Sequence, residues 1–197
     1  MARPKFADAD FLDAALAIAA EGGPPAVTVG AIAERLGAPV GSFYHRFSSR
    51  DVLLGELWLR TVLDFQRGAT AALEAGDGLR AALHTPAWVR THLGEARLLL
   101  LYHRDDFLQG RWPEELRDGV AAQTARMEAR SLRFARLIFG RAGKDEVRRA
   151  QFLIAEMPLA AVRQHLQRRE KPPPIVDELI RIAYAAVVAD YNARRGR

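Results

Sequence analysis

The sequence predicts an all-α protein of about nine helices. Three observations carry this. Apolar residues recur at three- and four-residue spacing almost throughout, no segment sustains apolar–polar alternation with β-branched enrichment, and Gly/Pro clusters cut the pattern at helix-length intervals. The punctuation further predicts a three-helix module over residues 1–50, followed by a larger helical part over 51–197. A chain of 197 residues can bury ample apolar surface without staples. The lack of cysteine rules out disulfides, thiolate metal sites and cysteine nucleophiles.

The first helix is marked by the stripe Phe11, Ala15, Ile18 and Ala19. Gly22-Gly23-Pro24-Pro25 ends it, because glycine accepts the left-handed cap and proline cannot continue the helix. Thr28 is placed to cap the second helix, expected from about Val29 to Leu36, with Val27 and Ile32 flanking the cap as a hydrophobic staple. Val29, Ile32, Ala33 and Leu36 form its apolar face, and Gly37 permits a tight turn. A short helix follows at once, with Pro39 suited to its first turn and Val40, Phe43 and Phe47 able to face the preceding helix. Ala33 is small enough for the close crossing of a helix-turn-helix. Gly41 and Ser42 at the start of that third helix would permit close approach to base edges, and Tyr44 and His45 offer donors to phosphates. The same spacing is equally that of a helical hairpin inside a larger bundle.

Further along, Gly76-Asp77-Gly78, Gly110 with Pro113, Gly140 to Gly143 and Lys171-Pro172-Pro173-Pro174 separate longer helices. The fourth is expected from about Ser49 to Leu73. Pro158 should kink or interrupt its helix, since it removes a donor and crowds the preceding turn.

Charge does not locate a nucleic-acid surface. The net charge is +5, yet residues 1–60 hold six Lys/Arg, among them Arg3 and Lys5, against seven Asp/Glu. The basic excess lies later, in Arg126, Arg130, Arg133 and Arg136 and near Arg168 and Arg194, at spacing typical of a solvated helix face. The N-terminus shows no apolar run that would read as a signal peptide, and the longest strongly apolar stretch, Leu98 to Tyr102, is too short to cross a bilayer. The expectation is a soluble, cytoplasmic protein without membrane attachment.

The run from Thr28 to Leu54, TVGAIAERLGAPVGSFYHRFSSRDVLL, resembles the DNA-binding signature of the TetR family. The resemblance covers roughly the first 55 residues, helix one included, and beyond them only length and helical pattern agree. It implies a transcriptional regulator, most often a repressor, that binds double-stranded operator DNA as a homodimer and senses a small-molecule effector. Residue by residue, it implies that Thr28 contacts a phosphate, that Val40, Gly41 and Ser42 face bases, and that Tyr44 and His45 touch backbone or groove edge. Arg50 stands where the family usually has a lysine opening helix four, which implies a phosphate contact. Two positions depart from the pattern. Pro39 replaces the usual Ser or Thr, and Arg46 stands where histidine is most frequent.

In such a protein the C-terminal helices hold a ligand and pair with a second subunit. Ile175, Leu179, Ile182, Ala183, Ala186 and Val187 form a stripe suited to close helix packing, with Val147 to Leu166 as its neighbour; an intramolecular core helix would show the same stripe. Trp88, Leu99, Tyr102, Phe107, Trp112, Met127 and Phe134 could line an apolar pocket, with His84, His92, His103 or Gln123 as polar anchors. No cofactor, metal site or catalytic residue is expected. A metal-dependent enzyme would have to rest on His92, Glu95, His103, Asp105 and Asp106, which match no ligand signature. A helical interaction module that binds no DNA is the remaining alternative, and it would leave Gly41, Ser42, Tyr44 and His45 without a purpose.

Overall fold

The computed structural model describes residues 6–107 and 113–195. Its helices, in chain order, are α1 (Asp8–Gly22), α2 (Val29–Leu36), α3 (Val40–Tyr44), α4 (Arg50–Glu74), α5 (Gly78–Thr91), α6 (Leu93–Leu101), α7 (Glu114–Phe139), α8 (Lys144–Gln151), α9 (Met157–Gln167) and α10 (Ile175–Arg195). A π-helical turn, Phe152–Glu156, joins α8 to α9 without a break, so the described residues form nine continuous helices and no strand. They divide into two compact units. The first comprises residues 1–62 and 94–120, and the second 63–93 and 121–197, with α4 and α7 contributing residues to both.

The first unit is built on α1 to α3. Asp10 Oδ2 accepts from the Ala7 N–H at 2.7 Å and opens α1, which ends at Gly22 with Gly23 at φ +80°. Thr28 Oγ1 accepts from the Ala31 N–H at 3.1 Å, the cap that the sequence predicts for α2. Gly37 closes that helix at φ +60°, so that the Ala38 N–H returns to the Ala33 carbonyl at 2.9 Å. Phe11, Phe43 and Phe47 form the centre, with ring centroids 5.5 to 6.1 Å apart, and Val27, Ile32, Leu53 and Leu57 are fully buried around them. Val40 departs from its expected place beside the second helix. It is 48% exposed, because only Phe43 and Phe47 fall on the inward side of so short a helix. Pro39 caps α3 from the position before its first turn, with extended ψ of 139°.

The second unit has its own core, including Leu73, Phe134, Phe139, Leu153 and Tyr191. The Tyr191 hydroxyl reaches the Phe139 carbonyl at 3.3 Å and Glu146 at 3.1 Å, tying α10 to α7 and α8. Arg90 fixes the proline-rich entry to α10: it pairs with Asp177 at 2.8 Å and donates to the carbonyls of Pro172 and Pro173. Pro158 neither breaks nor ends its helix. It sits in the first turn of α9, directly after the π turn, where the Met157 N–H bonds five residues back to the Phe152 carbonyl. The wider turn absorbs the missing donor locally.

Candidate nucleic-acid interface and ligand cavity

The first candidate site lies on α2 and α3 of the first unit. Burial of Phe43 and Phe47 fixes the rotation of α3 and turns the opposite side outward. Tyr44 is 59% exposed, His45 is exposed, and Ser42 is half-buried. A Cβ added at Gly41 would meet no atom within 4 Å, so the backbone there is open to close approach. Thr28 is exposed at the start of α2. Its oxygen is engaged in the cap, which leaves the hydroxyl proton free to donate outward. The sequence-predicted set Thr28, Val40, Gly41, Ser42, Tyr44 and His45 is thus solvent-accessible in whole or part.

Arg50 is placed differently. Its guanidinium is turned to the α1–α2 connection, where it donates to the carbonyls of Val27 and, at 2.7 Å, Pro24, with Asp51 at 3.4 Å. Arg46, treated in the sequence only as a departure from the usual histidine, is also structural: it pairs with Asp8 at 3.1 Å, donates to the carbonyls of Phe6 and Ser42, and lies 5.5 Å over the Phe11 ring. Arg35 pairs with Glu21 and Arg60 with Asp13. Each of these four arginines is thus matched by a carboxylate. Arg3 and Lys5 lie outside the described residues.

The second candidate site is a cavity of about 350 Å³ inside the second unit. Its walls come from α4 (Phe65, Leu73), α5 (His84), α7 (Met127, Arg130) and the π turn (Ile154). His84 Nε2 donates to the Phe65 carbonyl at 2.5 Å. Burial lowers its pKa below the ordinary histidine value, opposed by that carbonyl. Of the pocket candidates read from the sequence, Met127 and His84 do line the cavity. Trp88 packs against Phe65 and donates to Asp64 at 2.9 Å, while Phe134 fills the core. Leu99, Tyr102 and Phe107 belong to the core of the first unit. Trp112 and Gly110 lie outside the described residues. Arg130, read from the sequence only as part of a basic stripe, is the lining residue that reasoning missed. Met127, one turn earlier and itself a pocket candidate, was the available signal.

His92 stacks on Trp88, and His103 and Asp106 close a short 3-10 turn through the His103 N–H. Among the described residues no three His, Asp or Glu side chains are grouped as a metal ion requires, and no helix is long and apolar enough to cross a membrane.

An exposed short helix, held by a tight turn against a capped partner and presenting a bare backbone at its start, is the arrangement of the helix-turn-helix class. Residues 11–57 match the model for bacterial regulatory proteins of the tetR family. No curated protein sequence matches the chain. Among solved structures, the fold is similar to that of a protein assigned to the tetR family of transcription regulators from Shewanella sp. PV-4, with a TM-score of 0.64 and 19% identity over 94% of this chain and 96% of that one. It is also similar to a protein assigned to the same family from Mesorhizobium loti, with a TM-score of 0.60 and 18% identity over 94% and 95%. The family match thus covers the N-terminal helices, residues 11–57, and the chain as a whole shares its fold with these two structures.

Proposed function

We propose that this regulator is a homodimeric repressor that binds a palindromic operator through α3 and releases it when a small molecule occupies the cavity of the second unit. The observation that carries the reading is the outward face of α3, where Val40, Gly41 and Ser42 are open at the end that enters a major groove. Val40 offers a methyl contact to thymine, Gly41 gives clearance, and the Ser42 hydroxyl can donate or accept. Thr28, Tyr44 and His45 contact phosphates on either side. Arg50 acts by holding the Pro24 and Val27 carbonyls, which sets the position of Thr28; a direct phosphate contact would compete with those bonds.

Two recognition helices reach successive half-sites only when presented about 34 Å apart, which requires two subunits. The pairing surface is the apolar side of α10, where Ile175, Leu179 and Ile182 are 51%, 57% and 60% exposed in the single chain. The release mechanism follows from α4, one helix that starts at Arg50 and supplies Phe65, Gln66, Ala69 and Leu73 to the cavity wall. A ligand that fits better when α4 is tilted weakens DNA binding by the difference in its two affinities, typically about 1 to 3 kcal/mol or roughly 5- to 150-fold.

Selection of genomic fragments on the purified protein tests the first half: an enriched palindrome is expected, with affinity falling steeply as salt rises. Recovery of no motif would remove the DNA-binding proposal. Titration of ligand and operator, each in the presence of the other, tests the second half, because the two must weaken one another by the same factor.

A further inference from the structure

We propose that the effector of this cavity is an amphipathic carboxylate, its apolar body in the cavity and its anionic end held between α4 and α7 by Arg130 and Arg126. This rests on the ligand-sensing reading above and adds the chemical class.

The cavity walls are mostly apolar, and its volume of about 350 Å³ stands at the lower end of small-molecule pockets, which favours a compact or short-chain body. A second hollow, of about 370 Å³ and more polar lining, lies on the other side of α7 and is formed by α4 and α7 alone. Gln66 and Arg130 line both. They form the seam between the apolar cavity and the polar hollow.

The polar groups at this seam lack partners of opposite kind. Gln123 is 1% exposed and donates through Nε2 to Gln66 Oε1, but its own Oε1 is buried without a donor. Such an atom forfeits a hydrogen bond unless something supplies one. Arg130 is half-buried, and among the described residues neither it nor Arg126 forms an ion pair. Burial disfavours the Arg130 charge most, Arg126 one turn away adds like-charge repulsion, and only Glu74 opposes them. Arg67, which also lines the hollow, is already paired with Asp64. A bound carboxylate would relieve the repulsion and accept from both guanidiniums, and a water held on it would present a donor to Gln123 Oε1. A neutral ligand leaves two unpaired cations beside it. A cationic ligand would add a third positive charge beside them, met in the hollow by Glu74, whose charge already acts on Arg130, and in the cavity by Glu128.

Octanoate, octanol and octylamine share one chain length and differ only in the end group, so calorimetric titration of the full-length protein with each reads the class directly. Octanoate is expected to bind at least tenfold more tightly than octanol, with octylamine weakest. Arg130→Gln should erase the octanoate advantage while leaving octanol affinity within about twofold, and Glu128→Gln should preserve it. Circular dichroism of both variants confirms that they fold. Equal binding of octanoate and octanol overturns the anionic class while the cavity remains a ligand site, and an advantage that survives Arg130→Gln overturns the assignment of the anionic end to Arg130. Preference for octylamine overturns it in favour of Glu74 or Glu128. Binding of none of the three removes the proposal together with the sensing role of this cavity.

Discussion

Single residues set the two short helices that matter most here. Thr28→Ala removes the α2 cap and should lower stability by about 1 kcal/mol, read as a lower midpoint in urea with unchanged slope. Gly37→Ala meets no neighbour within 4 Å, so its penalty of roughly 1 to 2 kcal/mol would come from the left-handed backbone alone. Arg50 separates two roles. If it serves by bracing the Pro24 and Val27 carbonyls, Arg50→Lys should lower stability by about 1 to 3 kcal/mol, as lysine lacks the fork to hold both. A lysine variant with full stability and full operator affinity would point instead to a plain phosphate contact. Ser42→Ala should leave stability untouched and change base preference at one operator position by roughly 1 to 3 kcal/mol in a competition assay.

Where α4 and α5 meet, the fit is close enough to be tested by a methyl group. A Cβ at Gly68 would lie 2.3 Å from the His84 ring, so Gly68→Ala should cost about 1 to 3 kcal/mol by overpacking, against the helix-propensity gain expected at an exposed site. The same ring gives a pH dependence. Burial lowers the folded-state pKa of His84 below the ordinary value of 6.5; the Phe65 carbonyl and Asp64 oppose this, and Arg130 and His92 reinforce it. A depressed folded value means that the unfolded chain binds the proton first, so stability is complete above pH 6.5 and falls as pH drops toward the folded value. Chemical denaturation between neutral pH and pH 5 should show that loss, and His84→Gln should flatten this part of the slope. An unchanged slope in the variant would assign the dependence to other groups.

For the molecule as a whole, the decisive quantity is its association state. Ile175, Leu179 and Ile182 leave a row of large apolar side chains on α10 outward, with Phe152 also exposed in the π turn. In a dimer, Ile182→Glu or Ala186→Arg would bury an unpaired charge, at a penalty of about 3 to 5 kcal/mol. Light scattering should show a dimer for the parent protein and a monomer for these variants, with helical content retained because neither position is buried in the single chain. A parent protein of monomer mass at micromolar concentration would count against operator binding by paired half-sites.

Local chemistry was readable in the sequence wherever one residue forces one conformation. Thr28 as a cap, Gly23 and Gly37 as terminators and the Phe11, Phe43 and Phe47 centre all stand where periodicity and stereochemistry put them. The outward set on α3 followed from the same burial, with Val40 the exception, since an apolar residue in a five-residue helix has no period strong enough to fix its side. Long-range partners were not readable. Nothing in the sequence assigns Arg50 to carbonyls 23 and 26 residues earlier, joins Arg90 to Asp177, or sets Gln66 against Gln123. Pro158 shows the same divide: its missing donor was certain, but that the helix widens into a π turn before it, with Leu153 and Val162 buried on either side, was not. Helix identity is written in spacing and caps because those interactions span at most a few residues. Cavity, seam and charge pairing arise only when distant segments meet, and the tertiary structure alone decides which do.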